Sequence, residues 1–372
     1  MDLLTAGDHV PRRRFLLGLA GVGAGGLVVG RLAVAGRGLL TTAQPPRPGR
    51  EIWSSGAGGG AFYNFVAASG VVCFAASAGS GTAAGPLQAL RASDGAALWR
   101  SAAGGGAAYN PAVAGGVVCF GGYDGRVHAL WLGDGSPVWS TAAGGGPVTD
   151  PVTAGGTVYF GGYHGRLCAL RAADGSAAWT SAAGGGPQVN PVVARGVVYF
   201  GGRDLRLYAL RAADGSPIWS SGAGALGAGP AVVAGVVCVG GNDGRLYGLR
   251  AADGSPVWTS AAGGGPATAL ASSAGVVYFG GHDRRLHALR AADGSPAWSS
   301  QAGGGQYTGP VAAGGVVYFG GRDLRLYALR AADSASLWSS SVGGGPTGAT
   351  PVVTAGVIYF GSFGNRMYAL AA

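Results

Sequence analysis

The sequence of 372 residues predicts an all-β fold: a single eight-bladed β-propeller of four-stranded antiparallel blades, with the ring closed by the N-terminal strand near Trp53. Three observations predict this architecture. A tryptophan recurs about every 40 residues, each period contains four short strand patterns, and 77 glycines separate these patterns. Four strands in each repeat of this length are typical of a propeller blade.

Eight tryptophans set the period, and the successive gaps between them are 46, 40, 40, 40, 39, 40 and 40 residues. They are Trp53, Trp99, Trp139, Trp179, Trp219, Trp258, Trp298 and Trp338. The first gap is longer because residues 75–85 include about six extra residues. This insertion either reaches across one face of the ring or is a tolerated surface loop.

Each period contains four strand patterns, which in the fourth blade lie at 191–194, 197–201, 206–211 and 217–221. Asp-Gly pairs such as Asp214-Gly215 separate apolar alternating runs. Such pairs predict tight hairpins in which both turn residues adopt positive φ. No helical period of 3.6 residues occurs in this part of the chain.

The two ends of the repeat region complement each other. Eight copies of the second strand begin near residues 71, 117, 157, 197, 236, 276, 316 and 357, and the last copy has no tryptophan strand after it. Conversely, the first tryptophan strand, residues 51–55, has no strands before it. We therefore expect residues 51–55 to form the outer strand of the last blade, because closure removes exposed strand edges.

Residues 1–35 have the pattern of a targeting segment. The pair Arg12-Arg13 precedes an uncharged apolar run at 15–30, and the small residues 33–35 follow as a candidate cleavage site. This order predicts a twin-arginine signal peptide, and therefore export to an extracytoplasmic location. An uncleaved membrane anchor is the alternative, although the run is shorter than the ~20 residues that span a bilayer.

The predicted propeller is residues 51–372, and residues 36–50, which contain three prolines, are the predicted linker. The formal net charge is +9, of which residues 1–50 contribute +5 through seven arginines and two aspartates. The propeller contributes +4 through 18 arginines and 14 acidic residues. Nucleic-acid binding is not expected, because a basic stripe with interleaved aromatic residues is missing.

One segment of the repeat, residues 209–219, reads Ala-Leu-Arg-Ala-Ala-Asp-Gly-Ser-Pro-Ile-Trp. It resembles the tryptophan-docking motif Ala-x-Asp-x-x-Thr-Gly-x-x-x-Trp of PQQ-dependent quinoprotein dehydrogenases and their non-catalytic relatives, which include the BamB-type outer-membrane assembly lipoproteins. Here arginine replaces the usual aspartate, and aspartate replaces the usual threonine. The resemblance covers residues 51–372 and implies that the eight periodic tryptophans are structural docking residues.

Catalytic members of the family bind pyrroloquinoline quinone and calcium. The resemblance would require a cage of Glu and Asn or Asp oxygens, a catalytic Asp and, in many members, a disulfide between adjacent cysteines. This chain has a single glutamate, Glu51, on the predicted closing strand, and its four cysteines lie tens of residues apart. We therefore expect no catalytic residue, no metal and no cofactor. A quinoprotein oxidoreductase with the quinone and calcium is the alternative.

One asymmetry of the ring predicts a ligand-binding site. The residue before the proline (or its equivalent) that opens each inner strand is an amide or a carboxylate in four successive blades. These residues are Asn64, Asn110, Asp150 and Asn190, and the other four blades have Gly229, Ala269, Gly309 and Thr350. Four tyrosines lie close in sequence to the same face, namely Tyr63, Tyr109, Tyr123 and Tyr163. We expect an off-centre polar pocket at the channel mouth; as the alternative, Asn and Asp serve only as turn formers.

The sequence thus predicts an exported, non-catalytic propeller that binds or scaffolds a protein or small ligand at one face. We expect a monomer that contacts a membrane only through an uncleaved N-terminal segment. An envelope assembly factor of the BamB kind is a further alternative.

Overall fold

The structure is a computed structural model. In the residues that it describes, short alternating runs between glycine-rich turns form 32 strands. The described residues are 47–56, 62–77, 84–222, 226–306, 308–346 and 349–372. The strands form eight four-stranded antiparallel sheets, which confirms the predicted eight-bladed propeller. The predicted targeting segment, residues 1–35, lies outside the described residues. Within the described ranges, no helix is both long enough and apolar enough to cross a membrane.

We number the strands along the chain and the blades from the first complete set of four. Blades 1 to 4 consist of β2 (Phe62–Ala68), β3 (Val71–Ser77), β4 (Ala84–Arg91), β5 (Ala97–Ser101); β6 (Ala112–Ala114), β7 (Val117–Gly121), β8 (Val127–Trp131), β9 (Pro137–Thr141); β10 (Val152–Ala154), β11 (Thr157–Gly162), β12 (Arg166–Arg171), β13 (Ala177–Ser181); and β14 (Val192–Ala194), β15 (Val197–Gly201), β16 (Leu207–Arg211), β17 (Pro217–Ser221).

Blades 5 to 8 repeat this order. They consist of β18 (Leu226–Val233), β19 (Val236–Gly241), β20 (Leu246–Arg250), β21 (Pro256–Ser260); β22 (Ala271–Ser273), β23 (Val276–Gly280), β24 (Leu286–Arg290), β25 (Pro296–Ser300); β26 (Val311–Ala313), β27 (Val316–Gly320), β28 (Leu326–Arg330), β29 (Ser336–Ser340); and β30 (Val352–Thr354), β31 (Val357–Gly361), β32 (Met367–Ala371) with β1 (Glu51–Ser55). The inner strands of neighbouring blades contact one another around the whole ring, including β30 with β2.

Short 3-10 segments lie in the connections from an outer strand to the next inner strand. They are Ala103–Gly105, Ala143–Gly145, Ala183–Gly185, Ala262–Gly264, Ala302–Gly304 and Val342–Gly344. The core lies between facing blades, where apolar side chains of the middle strands interdigitate. For example, Leu167 and Ala169 of blade 3 pack against Val198, Phe200 and Leu210 of blade 4, and all five are fully buried.

Each periodic tryptophan of the first seven in the chain docks onto the blade that follows its own. The Trp139 indole Nε1 donates to the Ala172 carbonyl oxygen at 2.8 Å, and the other six make the same bond at 2.7–3.0 Å. The indole also covers Gly175, where an added Cβ would lie 2.6 Å from the Trp139 ring. A glycine with positive φ is therefore needed in this turn, and Gly175 has a φ of 70°.

The ring closes as the sequence predicts. Strand β1 pairs antiparallel with β32, and Trp53 lies opposite Ala369. Residues 47–50 complete the missing turn of blade 8: Gly49 N donates to Ala371 O at 2.8 Å, and Ala371 N donates to Arg50 O at 3.0 Å. Trp338 covers Gly49, as the other tryptophans cover their turn glycines. The last four residues of the predicted linker thus form part of this blade.

The turns differ from the prediction in one respect. Positive φ occurs at Gly215 but not at Asp214, so the prediction of two positive-φ residues is wrong. The Asp214 carboxylate instead accepts hydrogen bonds from the Ser216 backbone N at 2.9 Å and from Ser216 Oγ at 2.6 Å. These hydrogen bonds lower the pKa of Asp214. The turn thus uses the Asp side chain as an acceptor and needs the left-handed conformation only at glycine.

Candidate binding site at the hairpin face

One end of the ring, which we call the hairpin face, contains the hairpins between second and third strands and the connections from outer to inner strands. The two meet because antiparallel strands alternate in direction. For example, Pro147, in the connection that precedes β10, pairs with Gly162, at the end of β11 in the same blade. The backbone N of Asp124, in the blade 2 hairpin, donates to Gly104 O of a connection at 3.2 Å.

Three of the predicted site residues form a polar ladder across blades 2, 3 and 4. Asp150 Oδ1 accepts from the Asn110 backbone N at 2.9 Å, and Asp150 Oδ2 accepts from Asn110 Nδ2 at 2.7 Å and Asn190 Nδ2 at 2.6 Å. The Asp150 backbone N donates to Asn190 Oδ1 at 2.9 Å. The structure therefore brings these residues together, and their polar atoms mainly bond to one another.

Three predicted tyrosines gather beside the ladder. Tyr109 is half-buried beside Tyr163, whereas Tyr123 and Tyr163 are 55% and 62% exposed. Burial raises the pKa of Tyr109, and the neighbouring Tyr163 and the negative charge of Asp150 raise it further. The hairpin face thus combines a polar ladder with exposed aromatic rings.

The blade 1 members of the predicted site are only partly described. Tyr63 and Asn64 lie on β2, where the backbone is described, but their side chains lie outside the described part of the structure. Their part in the predicted ligand-binding pocket therefore remains a prediction.

A cavity of about 460 Å³ opens where the ladder ends, and residues of blades 4, 5 and 6 line it. Asn190 provides a polar edge, and much of the remaining lining is apolar, with Val189, Val192 and Leu270 among the contributing residues. In the blade after Asn190, the ladder position is Gly229, where an added Cβ would lie 3.4 Å from Asn190 O. The sequence located the polar residues but not this cavity; the small residues at Gly229 and Ala269 were the available indication.

The four cysteines are buried strand residues. Cys73, Cys119, Cys168 and Cys238 are free and buried, and burial raises the pKa of the first, second and fourth to about 12 and of Cys168 to about 11. Among the residues the structure describes, no group of three or more His, Cys, Asp or Glu side chains comes together.

Two histidines clamp their own hairpins. His128 Nε2 lies 2.9 Å from Asp124 Oδ2, and His287 Nε2 lies 2.9 Å from Asp283 Oδ2. Tyrosines take the same place elsewhere, as in the hydrogen bond from Tyr208 to Asp204. These pairs hold the hairpins that present the exposed side chains of the face.

The fold and this face define a class of protein: a tryptophan-docked propeller with polar and aromatic residues concentrated at one end of the ring. The chain belongs to the family described as outer membrane protein assembly factor BamB, whose sequence profile matches residues 83–225 and 212–372. The resemblance identified from the docking motif is therefore confirmed. No curated protein sequence matches the chain.

Solved structures share the fold at low sequence identity. BamB from Moraxella catarrhalis superposes with a TM-score of 0.69 at 19% identity, covering 87% of this chain and 97% of that one. The computationally designed protein Ika8 gives 0.72 at 16%, covering 87% and 100%. A quinohemoprotein alcohol dehydrogenase from Pseudomonas putida HK5 gives 0.62 at 14%, covering 87% and 76%. At these identities the similarity concerns the fold alone.

Proposed function

We propose that this chain is an exported, non-catalytic propeller that binds a protein or small ligand at the hairpin face. The observation that carries the proposal is the row of exposed apolar side chains on the hairpin tips. Five of the ten exposed large hydrophobic residues in the described part of the chain lie there and are 44–62% exposed: Tyr123, Tyr163, Leu205, Leu324 and Phe363. The other five are Trp131 and one residue on each of four outer strands. Exposed apolar groups on a single face are typical of interaction surfaces, and aromatic residues often contribute most of the binding energy.

The absence of catalysis is part of the proposal. Asp150 is the one carboxylate among the predicted site residues, and its oxygens already accept three hydrogen bonds from neighbouring blades. A calcium ion would need several such oxygens free. These residues therefore do not fit a calcium-bound quinone. Adding pyrroloquinoline quinone and calcium should give no dye-linked alcohol oxidation, and measurable turnover would favour the quinoprotein alternative.

Export and an envelope partner are also proposed. The pair Arg12-Arg13 with its apolar run supports export, and the description of the family as an outer membrane assembly factor supports a protein partner. A role in envelope assembly is the finer alternative. It would appear as co-purification with a membrane complex.

The test compares two double variants of the full chain. Tyr123→Ala with Tyr163→Ala removes two exposed aromatic rings of the face. Ile218→Ala with Val257→Ala is the control, because it removes exposed apolar side chains from outer strands. Capture of partners from intact envelopes, quantified by mass spectrometry after crosslinking, should fall about tenfold or more only in the tyrosine variant. Equal capture by both variants and by the unmodified chain would exclude the hairpin face as the binding surface.

A further inference from the structure

A second concave site on the hairpin face lies between blades 6 and 7, in the half of the ring without the ladder. We call it the basic pocket; its volume is about 430 Å³, and its lining includes Thr268, His282, Arg284, Gln306 and Arg322. We propose that the basic pocket binds a small molecule through a phosphate-like dianionic group. This proposal goes beyond the proposed function, because it names a different site and a different chemistry.

The cations of the pocket keep their donors available. Arg284 and Arg322 are exposed, and within the described part of the chain their guanidinium groups make no hydrogen bond or ion pair. By contrast, the neighbouring Arg285 and Arg325 donate to Ser299 Oγ at 3.2 Å and Ser339 Oγ at 3.0 Å. A guanidinium group with free donors binds phosphate or carboxylate in a bidentate manner.

The acidic residues of the two hairpins do not line the pocket. Asp283 contacts His287 Nε2 at 2.9 Å, and Asp323 accepts a hydrogen bond from Tyr327. Both carboxylates therefore bond within their own hairpins. The pocket retains two guanidinium groups and one imidazole around a polar floor, so its charge favours an anion.

The floor is polar but uncharged. Thr268 Oγ1 accepts from Gly280 N at 2.9 Å, which fixes its position. Gln306 is 6% exposed and stands where four sister connections have proline. With its side-chain amide oriented to satisfy both neighbouring backbone groups, Gln306 donates to Arg285 O at 3.2 Å and accepts from Leu286 N at 2.8 Å. These two floor residues thus carry no charge and are held in place by backbone groups.

The backbone at Arg284 is held in a conformation that disfavours arginine. Its φ is 64°, and sister hairpins have Gly125, Gly165 and Gly244 at this position. The left-handed conformation is unfavourable for a residue with a Cβ atom. Leu205, Leu324 and Asn365 share the conformation in their own hairpins. The backbone therefore does not distinguish this pocket, and only the charge of Arg284 does.

The groove between blades 3 and 4 provides an internal comparison. It has a volume of about 370 Å³ and is lined by residues that include Pro187 and Arg203. There Tyr163 and Gly165 stand where the basic pocket has His282 and Arg284. One cation remains in that groove, so Arg203 is the matched control.

The test uses the full chain and residues that sister hairpins already contain. Arg284→Gly and Arg322→Asn copy Gly244 and Asn242, and Arg203→Asn is the control. Inorganic phosphate and glycerol phosphate are titrated by calorimetry at low salt. We expect saturable binding that weakens about tenfold or more in each pocket variant and is unchanged in the control. Binding that is absent, or that weakens equally in the control, would overturn the proposal.

A second arm identifies the source of the anion. Sedimentation with vesicles that contain phosphatidic acid, whose headgroup is a phosphate monoester, is compared with sedimentation with vesicles of phosphatidylcholine alone. Loss of vesicle binding in the two pocket variants but not in the control would assign the pocket to a lipid headgroup. Binding of glycerol phosphate without any binding to vesicles would assign it to a free ligand. The tyrosine variants leave both arms unchanged, so failure here is distinguishable from failure of the proposed function.

Discussion

The polar ladder of blades 2 to 4 and the basic pocket between blades 6 and 7 lie on the same face of one repeat, but their polar groups are used differently. Asp150 bonds to the neighbouring blades through both carboxylate oxygens. Arg284 and Arg322 bond to no other side chain in the described part of the chain. A polar residue that interrupts the repeat pattern can therefore serve to join neighbouring blades. Charged side chains without partners around a cavity are the better indication of a ligand-binding site.

The largest expected effect concerns tryptophan docking, which is common to the sector of the ring with the polar ladder and the sector with the basic pocket. Trp139 and Trp258 each dock on the next blade, with an added Cβ at Gly175 or Gly294 lying 2.6 Å from the indole. Replacing either with alanine should lower the free energy of unfolding by about 2–4 kcal/mol, measured by urea denaturation. Trp131→Ala is the control, because Trp131 is 49% exposed and should change stability by less than about 0.5 kcal/mol. A large difference between the two docking variants would mean that the sectors also differ in their docking.

The next effect separates the sectors. Asp150→Ala removes the acceptor of three hydrogen bonds and should lower the free energy of unfolding by about 1–2 kcal/mol, reduced by partial exposure. Thr350→Ala changes the equivalent position of blade 8 and should cost less than about 0.5 kcal/mol. If Asp150→Ala is as mild as its control, the ladder does not stabilise the ring, and the Asp150 side chain becomes a stronger candidate for ligand contact.

The smallest effect concerns pH. Burial would raise the pKa of Asp124, but the hydrogen bonds from His128 and the Arg126 backbone lower it below its ordinary value of 3.8. Because the folded pKa is the lower one, this stabilisation is fully present above about pH 3.8 and is lost as pH falls through the lowered pKa of the folded state. Asp124→Asn should therefore reduce the drop in melting temperature between about pH 6 and about pH 3, by the equivalent of less than about 1 kcal/mol.

Asp283 makes the same contact in the other sector, with His287, and its pKa is lowered for the same reasons. Asp283→Asn should therefore reproduce the result of Asp124→Asn. A clearly different pH profile would show that the arginines around the basic pocket change the electrostatics of its hairpin.

Most of the fold could be predicted from the sequence, because the 40-residue period and the complementary ends of the repeat region are visible along the chain. All eight second strands begin at the predicted residues, from Val71 to Val357, and β1 occupies the predicted outer position of the last blade. The turn conformation was less predictable, because Asp tolerates positive φ but gains more here by accepting hydrogen bonds.

The site could be predicted only in part. The 40-residue spacing of Asn110, Asp150 and Asn190 placed them in successive blades, but their bonds to one another depend on side-chain geometry. The basic pocket was missed because Arg284 and Arg322 occupy different positions of the repeat, so no alignment of periods brings them together. Their proximity arises from the packing of one hairpin beside the next.

The closing turn of blade 8 has a consequence for how the chain can be cut. Ala372, Arg47, Pro48 and Gly49 correspond to residues 92–95 of blade 1, with the same hydrogen bonds: Gly49 N to Ala371 O matches Gly95 N to Arg91 O. A direct peptide bond from Ala372 to Arg47 would therefore complete a turn of the regular length. Residues 47–372 are in this sense a circle opened at one point, and a circular permutant opened at Gly155-Gly156 should fold to the same ring.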